Sequence, residues 1–159
     1  MNDLDILIVE DERFQREMLR KFLTSEGHRV QEAENGKKAL ELMGMSSFDL
    51  ILLDLKMPGM SGLEVVKEAK RLNPEVDAVI ITAFGTVETA VQAMKAGSTD
   101  YVTKPIDFDE LSLIIGRVAK HRTLVRENEI LRQELNAKGV TSDTIRHKSQ
   151  KMADLINLA

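Results

Sequence analysis

Ile6, Leu7, Ile8 and Val9 form an uninterrupted apolar run. Runs of the same kind return at Asp49-Leu-Ile-Leu-Leu-Asp54 and at Ala78 to Thr82. So short and so uniformly apolar, they read as strands buried on both faces, which need helices above and below and therefore a parallel sheet. Amphipathic stretches fill the gaps. Arg13 to Glu26 sets Phe14, Met18 and Phe22, with Leu19 and Leu23, at four-residue spacing before Gly27. Arg29 to Ala33 is a partly polar strand suited to a sheet edge, and after Asn35-Gly36 a short helix carries Ala39, Leu40 and Met43. Met57-Pro-Gly-Met-Ser-Gly62 makes a turn before a helix from Leu63 to Leu72, which stops ahead of Asn73-Pro74. Val87, Ala90, Val91 and Met94 stripe a fourth helix that ends at Gly97. Tyr101-Val-Thr103 is a fifth strand leading into Lys104-Pro105, and a fifth helix starting near Phe108 buries Leu111, Ile114, Ile115 and Val118. Five strand-helix units in 120 residues predict an α/β fold: a doubly wound five-stranded parallel sheet of order 2-1-3-4-5, with its sites beyond the carboxyl ends of the strands.

The fifth helix has no stop. Its pattern runs on through Leu124, Asn128, Leu131 and Leu135, alternating d and a positions of about two heptads, and breaks at Asn136-Ala-Lys-Gly139. Residues 121–159 carry seven basic and five acidic groups in a chain whose net charge is otherwise acidic. The expected organisation is a domain over 1–120, a helical, coiled-coil-like linker over 121–137, and a separate segment over 138–159.

With 22 Lys and Arg against 26 Asp and Glu, the net charge of −4 disfavours a nucleic-acid reader. The absence of Cys excludes disulfides and thiolate metal sites, and fits a reducing cytoplasm. The start of the chain has no basic n-region, and no apolar run approaches the ~18 residues of a membrane span, so neither export nor membrane insertion is expected.

Three carboxylates fall at strand ends: Glu10 and Asp11 after the first strand, and Asp54 closing the third. Brought together they repel one another unless a divalent cation sits among them, and hard oxygen ligands suit Mg²⁺. Taken singly each is better read as a helix cap or a solvated loop residue, though Asp54 resists that reading because four apolar residues precede it. Thr82 and Lys104 end the fourth and fifth strands with a hydroxyl and an ammonium able to meet a phosphoryl group on Asp54, and small Ala83 leaves room for one. His28, His121 and His147 lack metal-ligand spacing and read as surface or linker residues, and the eight Met as core filler or helix-face residues.

Val-Glu-Asp-Glu at 9–12, Leu-Leu-Asp-Leu-Lys-Met-Pro-Gly-Met-Ser-Gly at 52–62, Ile-Thr-Ala at 81–83 and Asp-Tyr-Val-Thr-Lys-Pro at 100–105 together resemble the receiver domain of two-component response regulators, a flavodoxin/CheY-like fold. The resemblance implies that Asp54 accepts phosphate from a sensor histidine kinase. It further implies that Glu10, Asp11, Asp54 and the Lys56 carbonyl bind Mg²⁺, and that Thr82, Ala83 and Lys104 hold the phosphoryl group. Tyr101 matches the aromatic that rotates inward when Thr82 moves, and Lys104-Pro105 the family's cis peptide. Glu10 stands where many members have Asp.

More narrowly, 82–101 is similar to receivers of the NtrC type, which belong to activators of sigma-54 RNA polymerase. Glu127 to Leu135 is similar to that family's linker, and His147 to Ile156 to the first turns of its AAA+ ATPase domain. The implied partners are the kinase, a second copy of the chain through Leu124, Asn128, Leu131 and Leu135, and the AAA+ domain with sigma-54 polymerase beyond it. No phosphate loop or helix-turn-helix is legible, so the expected chemistry is self-phosphorylation from small donors and its reversal, not an enzyme's turnover. Lys56 and Phe84 sit where they would restrict water at an acyl phosphate.

Three rivals remain. An aspartyl-nucleophile Mg²⁺-dependent phosphatase would carry a second Asp where this chain has Lys56. A flavin carrier would place Ser, Thr and Gly where this chain has Glu10-Asp11-Glu12. A stand-alone receiver or dimerisation module would need only the 124–135 seam.

Overall fold

The computed structural model describes residues 3–83 and 85–137. Phe84, and the segment 138–159 with His147 and its AAA+ resemblance, lie outside the described residues. The chain divides between Lys120 and His121 into two units.

In the first unit β1 (Asp5–Val9), α1 (Arg13–Ser25), β2 (Arg29–Ala33), α2 (Gly36–Met45), β3 (Leu50–Asp54), α3 (Gly62–Leu72), β4 (Asp77–Thr82), α4 (Val87–Lys95) and β5 (Asp100–Thr103) alternate, and α5 (Phe108–Ala137) follows. All pairings are parallel and the order is β2-β1-β3-β4-β5, as expected. Successive strand side chains point to opposite faces, so each strand feeds two cores. Leu7, Val9, Ile51, Leu53 and Ile80 meet Ala39 of α2, Val65, Val66 and Ala69 of α3, and Ala93 of α4. Ile6, Ile8, Leu50, Leu52, Val79 and Ile81 meet Leu19 and Leu23 of α1 and Leu111, Ile114, Ile115 and Val118 of α5. Each fully buried Leu or Ile contributes about 1.5–3 kcal/mol over its exposed state, which is why register is fixed along the whole sheet.

Side-chain caps set where helices begin. Glu12 accepts from the Phe14 and Gln15 amides at α1, Asn35 from Lys38 at α2, Ser61 from Glu64 at α3, and Thr86 from Thr89 at α4. Strand and helix ends differ from the sequence reading by one or two residues at most. Asp49, for instance, lies just outside β3, where its carboxylate accepts the Asp5 amide at 2.9 Å.

Three sequence expectations are corrected. The α4 stripe faces outward: Val87 is 81 % exposed and Val91 and Met94 about half exposed, while Ala93 is the residue that is buried. A small side chain lets α4 lie close to the sheet, and the bulky residues take the outer face. On α1, Phe14 and Met18 are likewise exposed, and Leu19 and Leu23 make the buried stripe. His28 is not a free surface residue. It is half-buried, and its Nδ1 accepts the Leu4 amide at 3.1 Å, at the entry to β1.

In the second unit the helix of residues 121–137 leaves Leu124 and Leu131 each 58 % exposed, with Asn128 exposed and Leu135 half-buried. Among the described residues no helix is long and apolar enough to cross a membrane.

Candidate functional site

The carboxyl ends of β1, β3, β4 and β5 are contiguous along the sheet, and each delivers one of the residues singled out above. Register fixes their depth: Val9 pairs with Leu53, Asp54 with Ile81, and Thr82 with Thr103. The Glu10 amide donates to the Ala33 carbonyl at 3.1 Å and the Lys104 amide to the Thr82 carbonyl at 2.7 Å, so the ladder extends one residue past the strands. The side chains that follow therefore hang on hydrogen-bonded backbone, not on loose loops.

Glu10, Asp11 and Asp54 converge, each offering a carboxylate oxygen within 4.8 Å of the others. Glu12, the third acid of the loop, is turned away to cap α1. Glu10 is buried and Asp54 half-buried, whereas Asp11 is exposed. Lys104 Nζ donates to Asp54 Oδ2 at 3.0 Å and lies 3.7 Å from Glu10 Oε1. The other Asp54 oxygen, Oδ1, accepts the Lys56 amide at 3.3 Å. Thr82 is fully buried at the end of β4, and Ala83 beside it is exposed and small. The Lys104-Pro105 peptide is cis.

One ammonium faces three carboxylates, and the electrostatics show the deficit. Burial, then repulsion by Asp54, pushes the Glu10 carboxyl from its ordinary 4.5 up to about 7, with Lys104 only partly offsetting the two. Burial works against the Lys104 charge, but its hydrogen bond to Asp54 and the pull of Glu10, Asp54 and Asp11 outweigh it and raise its pKa. A carboxyl whose pKa is pushed up by burial and then by a neighbouring carboxylate belongs to a donor set short of positive charge. An oxygen-seeking divalent cation would supply that charge, and Glu10, Asp11 and Asp54 are the side chains that could hold one; their hard oxygens fit Mg²⁺.

Two further contacts, one bracing the acidic loop and one on Tyr101, carried no sequence signal. Arg16, one turn into α1, donates from Nη1 to the Glu10 carbonyl at 2.8 Å and so braces the acidic loop. Thr89 of α4 places its hydroxyl 2.9 Å from that of Tyr101. Tyr101 itself is half-buried, its ring packed on the core face that holds Leu53 and Ile80. Glycine at two positions lets backbone approach: a Cβ on Gly62 would overlap the Asp54 carbonyl oxygen, and one on Gly85 would stand 2.5 Å from Thr103 Cγ2.

Comparison with known proteins places this geometry. The family model for the response regulator receiver domain matches residues 6–116. The transcriptional regulatory protein ZraR of Klebsiella oxytoca is 42 % identical over 121 residues, which are 76 % of this chain and 27 % of ZraR. A cyclic di-GMP phosphodiesterase of Thermotoga maritima is 38 % identical over 119 residues, 75 % of this chain and 32 % of that protein. NtrX of Brucella abortus, solved in complex with ATP, superposes with a TM-score of 0.74 at 34 % identity, covering 80 % of this chain and 29 % of NtrX. The chain thus spans about a third or less of the length of these relatives.

Proposed function

The chain belongs to the response regulator receiver domain family, and from that premise we propose that it is the phosphorylation-dependent regulatory part of a cytoplasmic two-component regulator of the NtrC type, with Asp54 as phosphoacceptor. The observation that carries the assignment is the position of Asp54: its two oxygens are held by the Lys104 ammonium and the Lys56 amide, at the mouth of an acidic cluster.

In the forward step a carboxylate oxygen of Asp54 attacks the phosphorus of a phosphohistidine on the sensor kinase. The phosphorus–nitrogen bond breaks, and the imidazole leaves with its electron pair. Lys104 and the Thr82 hydroxyl receive the phosphoryl oxygens, and small Ala83 leaves space beside them. Glu10, Asp11, Asp54 and the Lys56 carbonyl would hold Mg²⁺, which would supply positive charge against the carboxylate and phosphoryl oxygens. In the dephosphorylation step water attacks the phosphorus, the acyl oxygen–phosphorus bond breaks, inorganic phosphate leaves and the Asp54 carboxylate is regenerated, with Lys56 restricting the approach of the water. The chain's own chemistry is confined to gaining and losing this group.

Adding charge and acceptor oxygens at Asp54 draws Thr82 toward the phosphoryl group, and Tyr101 fills the space it leaves. The change surfaces on the face of α4, β5 and α5, where Val87, Val91, Met94 and Leu113 are exposed. Residues 1–120 form the receiver and 121–137 a linker that pairs with a second copy through Leu124, Asn128, Leu131 and Leu135. Residues 138–159 open an AAA+ domain that acts on sigma-54 polymerase. NtrX, a relative of three times this length solved with ATP, supports an ATP-binding partner domain. The Thermotoga relative shows that a receiver of comparable identity is also found in a phosphodiesterase, so the output assignment leans on the linker similarity at Glu127 to Leu135. Lys56, where a phosphatase of the aspartyl-nucleophile type needs its second Asp, supports a regulatory rather than a hydrolytic role.

The test is intact mass after incubation with acetyl phosphate and Mg²⁺. Wild type gains one phosphoryl group and Asp54→Asn gains none while keeping its fold; labelling of the variant overturns the assignment.

A further inference from the structure

Helix α4 is poorly anchored. Ala93 alone of its nine residues is buried, against four buried residues in α3, and its bulky side chains point outward. A helix this short, with so little packed surface, takes its position from its ends.

At its N-terminus the anchoring is a chain of hydroxyls. The Thr89 amide donates to Thr86 Oγ1 at 3.2 Å, and the Thr89 hydroxyl donates to the Thr86 carbonyl at 2.9 Å. The same Thr89 oxygen lies 2.9 Å from the Tyr101 hydroxyl. A threonine hydroxyl owns one proton and two lone pairs. Thr89 Oγ1 also lies 3.0 Å from Thr86 Oγ1, and in its bond with Tyr101 either hydroxyl can be the donor. Hydrogen bonds therefore run from β5 through Thr89 into the first turn of α4. The two ends of Tyr101 do different work: its ring lies on the core face that includes Leu53 and Ile80, and its hydroxyl grips the helix.

We propose that Thr89 is the positioning residue that makes the first turn of α4 follow Tyr101, so that a rotation of the Tyr101 ring becomes a displacement of the exposed face carrying Val87 and Val91. The proposal rests on the reading of Asp54 as phosphoacceptor and Tyr101 as the responding aromatic. Without the Thr89 hydroxyl Tyr101 still responds, but α4 no longer does.

The sequence contains one tyrosine and no tryptophan, so tyrosine emission reports Tyr101 alone. The full chain is compared with and without Mg²⁺ and beryllofluoride by tyrosine emission and by hydrogen exchange of peptides covering Val87–Lys95. Labelling by acetyl phosphate is followed separately by mass. Wild type is expected to change both emission and α4 exchange. Thr89→Val keeps the emission change and its labelling, while its α4 exchange response falls to less than a third of wild type; Thr89→Ser restores it. Tyr101→Phe leaves the Thr86–Thr89 cap whole and removes only the phenolic hydroxyl, so it loses the α4 response too, and it decides the matter if Thr89→Val does not fold. An α4 response of wild-type size in the folded variants overturns the proposal, as does a labelled wild type whose α4 does not respond. A wild type that acetyl phosphate cannot label takes down the Asp54 reading beneath it.

Discussion

Lys104 Nζ lies 3.0 Å from Asp54 Oδ2, tying the end of β5 to the end of β3 across the intervening β4, although fifty residues separate the two in the chain. The bond is charge-assisted and largely shielded from water, with the Lys104 side chain 19 % exposed and that of Asp54 12 %. Such bonds contribute more than neutral ones, about 1.5–3 kcal/mol. Lys104→Met is therefore expected to slow labelling by acetyl phosphate about tenfold or more at saturating Mg²⁺, because the transferring oxygens lose their counter-charge. An unchanged rate of mass gain in the variant would remove Lys104 from the site.

Gly62 opens α3 directly beneath Asp54, the proposed phosphoacceptor. Its amide donates to the Leu55 carbonyl at 2.9 Å, and a Cβ there would overlap the Asp54 carbonyl and stand 2.9 Å from Leu55 Cα. Both obstacles are backbone, which cannot swing aside as a side chain would. Gly62→Ala is expected to cost about 1–3 kcal/mol by urea denaturation and to slow labelling of Asp54 as well. Gly44→Ala is the control, since a Cβ at Gly44 meets nothing within 4 Å. Equal stability of the two variants would show that β3 yields without cost.

The strand-end residues are legible in the sequence because buried parallel strands announce where they end. Four apolar residues ahead of Asp54 leave little doubt that it emerges at the top of β3, and Lys104 after Tyr101-Val-Thr103 is placed by the same logic. What the sequence conceals depends on how helices rest on that sheet. Arg16 reaches the Glu10 carbonyl only because α1 docks with that side of its first turns facing the loop. Thr89 meets Tyr101 only because α4 lies with Ala93, not its Val and Met stripe, against the core. His28 shows the same limit, since its partner is a backbone amide twenty-four residues away. Periodicity reveals that a helix has an apolar face and leaves open which of two apolar faces is covered.

Two groups make stability depend on pH in opposite senses. Glu10 has a folded pKa of about 7 against an ordinary 4.5, so its contribution is fully present below 4.5 and is lost as pH rises through 7. Burial depresses His28 below its ordinary 6.5, so its contribution is present above 6.5 and is lost as pH falls through the folded value. With divalent cations chelated, the urea midpoint of wild type is expected to fall from pH 6 to pH 8, and Glu10→Gln to flatten that fall. Mg²⁺ at pH 8 should raise the wild-type midpoint more than that of Glu10→Gln. On the acid side His28→Asn, which keeps an acceptor for the Leu4 amide without titrating, should lose less stability between pH 7 and pH 5 than wild type. Parallel curves for wild type and either variant would mean that the named group does not govern its limb.

Leu124 and Leu131 lie seven residues apart on one helix, each 58 % exposed, an arrangement that leaves apolar surface unspent unless another helix covers it. A second copy of the same helix satisfies the spacing, since residues i and i+7 return to the same side of a two-stranded coil. Asn128 falls between them at a heptad position where a polar residue selects one register at some cost in stability. If that seam forms, replacing both leucines by Ala removes about 2 kcal/mol or more of packing at each site, counted twice in a symmetric pair. Molar mass by light scattering across a dilution series should then show the double variant dissociating at concentrations where wild type remains paired. Asn128→Leu should shift dissociation the other way and relax the register. Equal mass for wild type and the double variant down to the lowest concentration would place self-association elsewhere, with the exposed α4 face carrying Val87, Val91 and Met94 the next surface to alter.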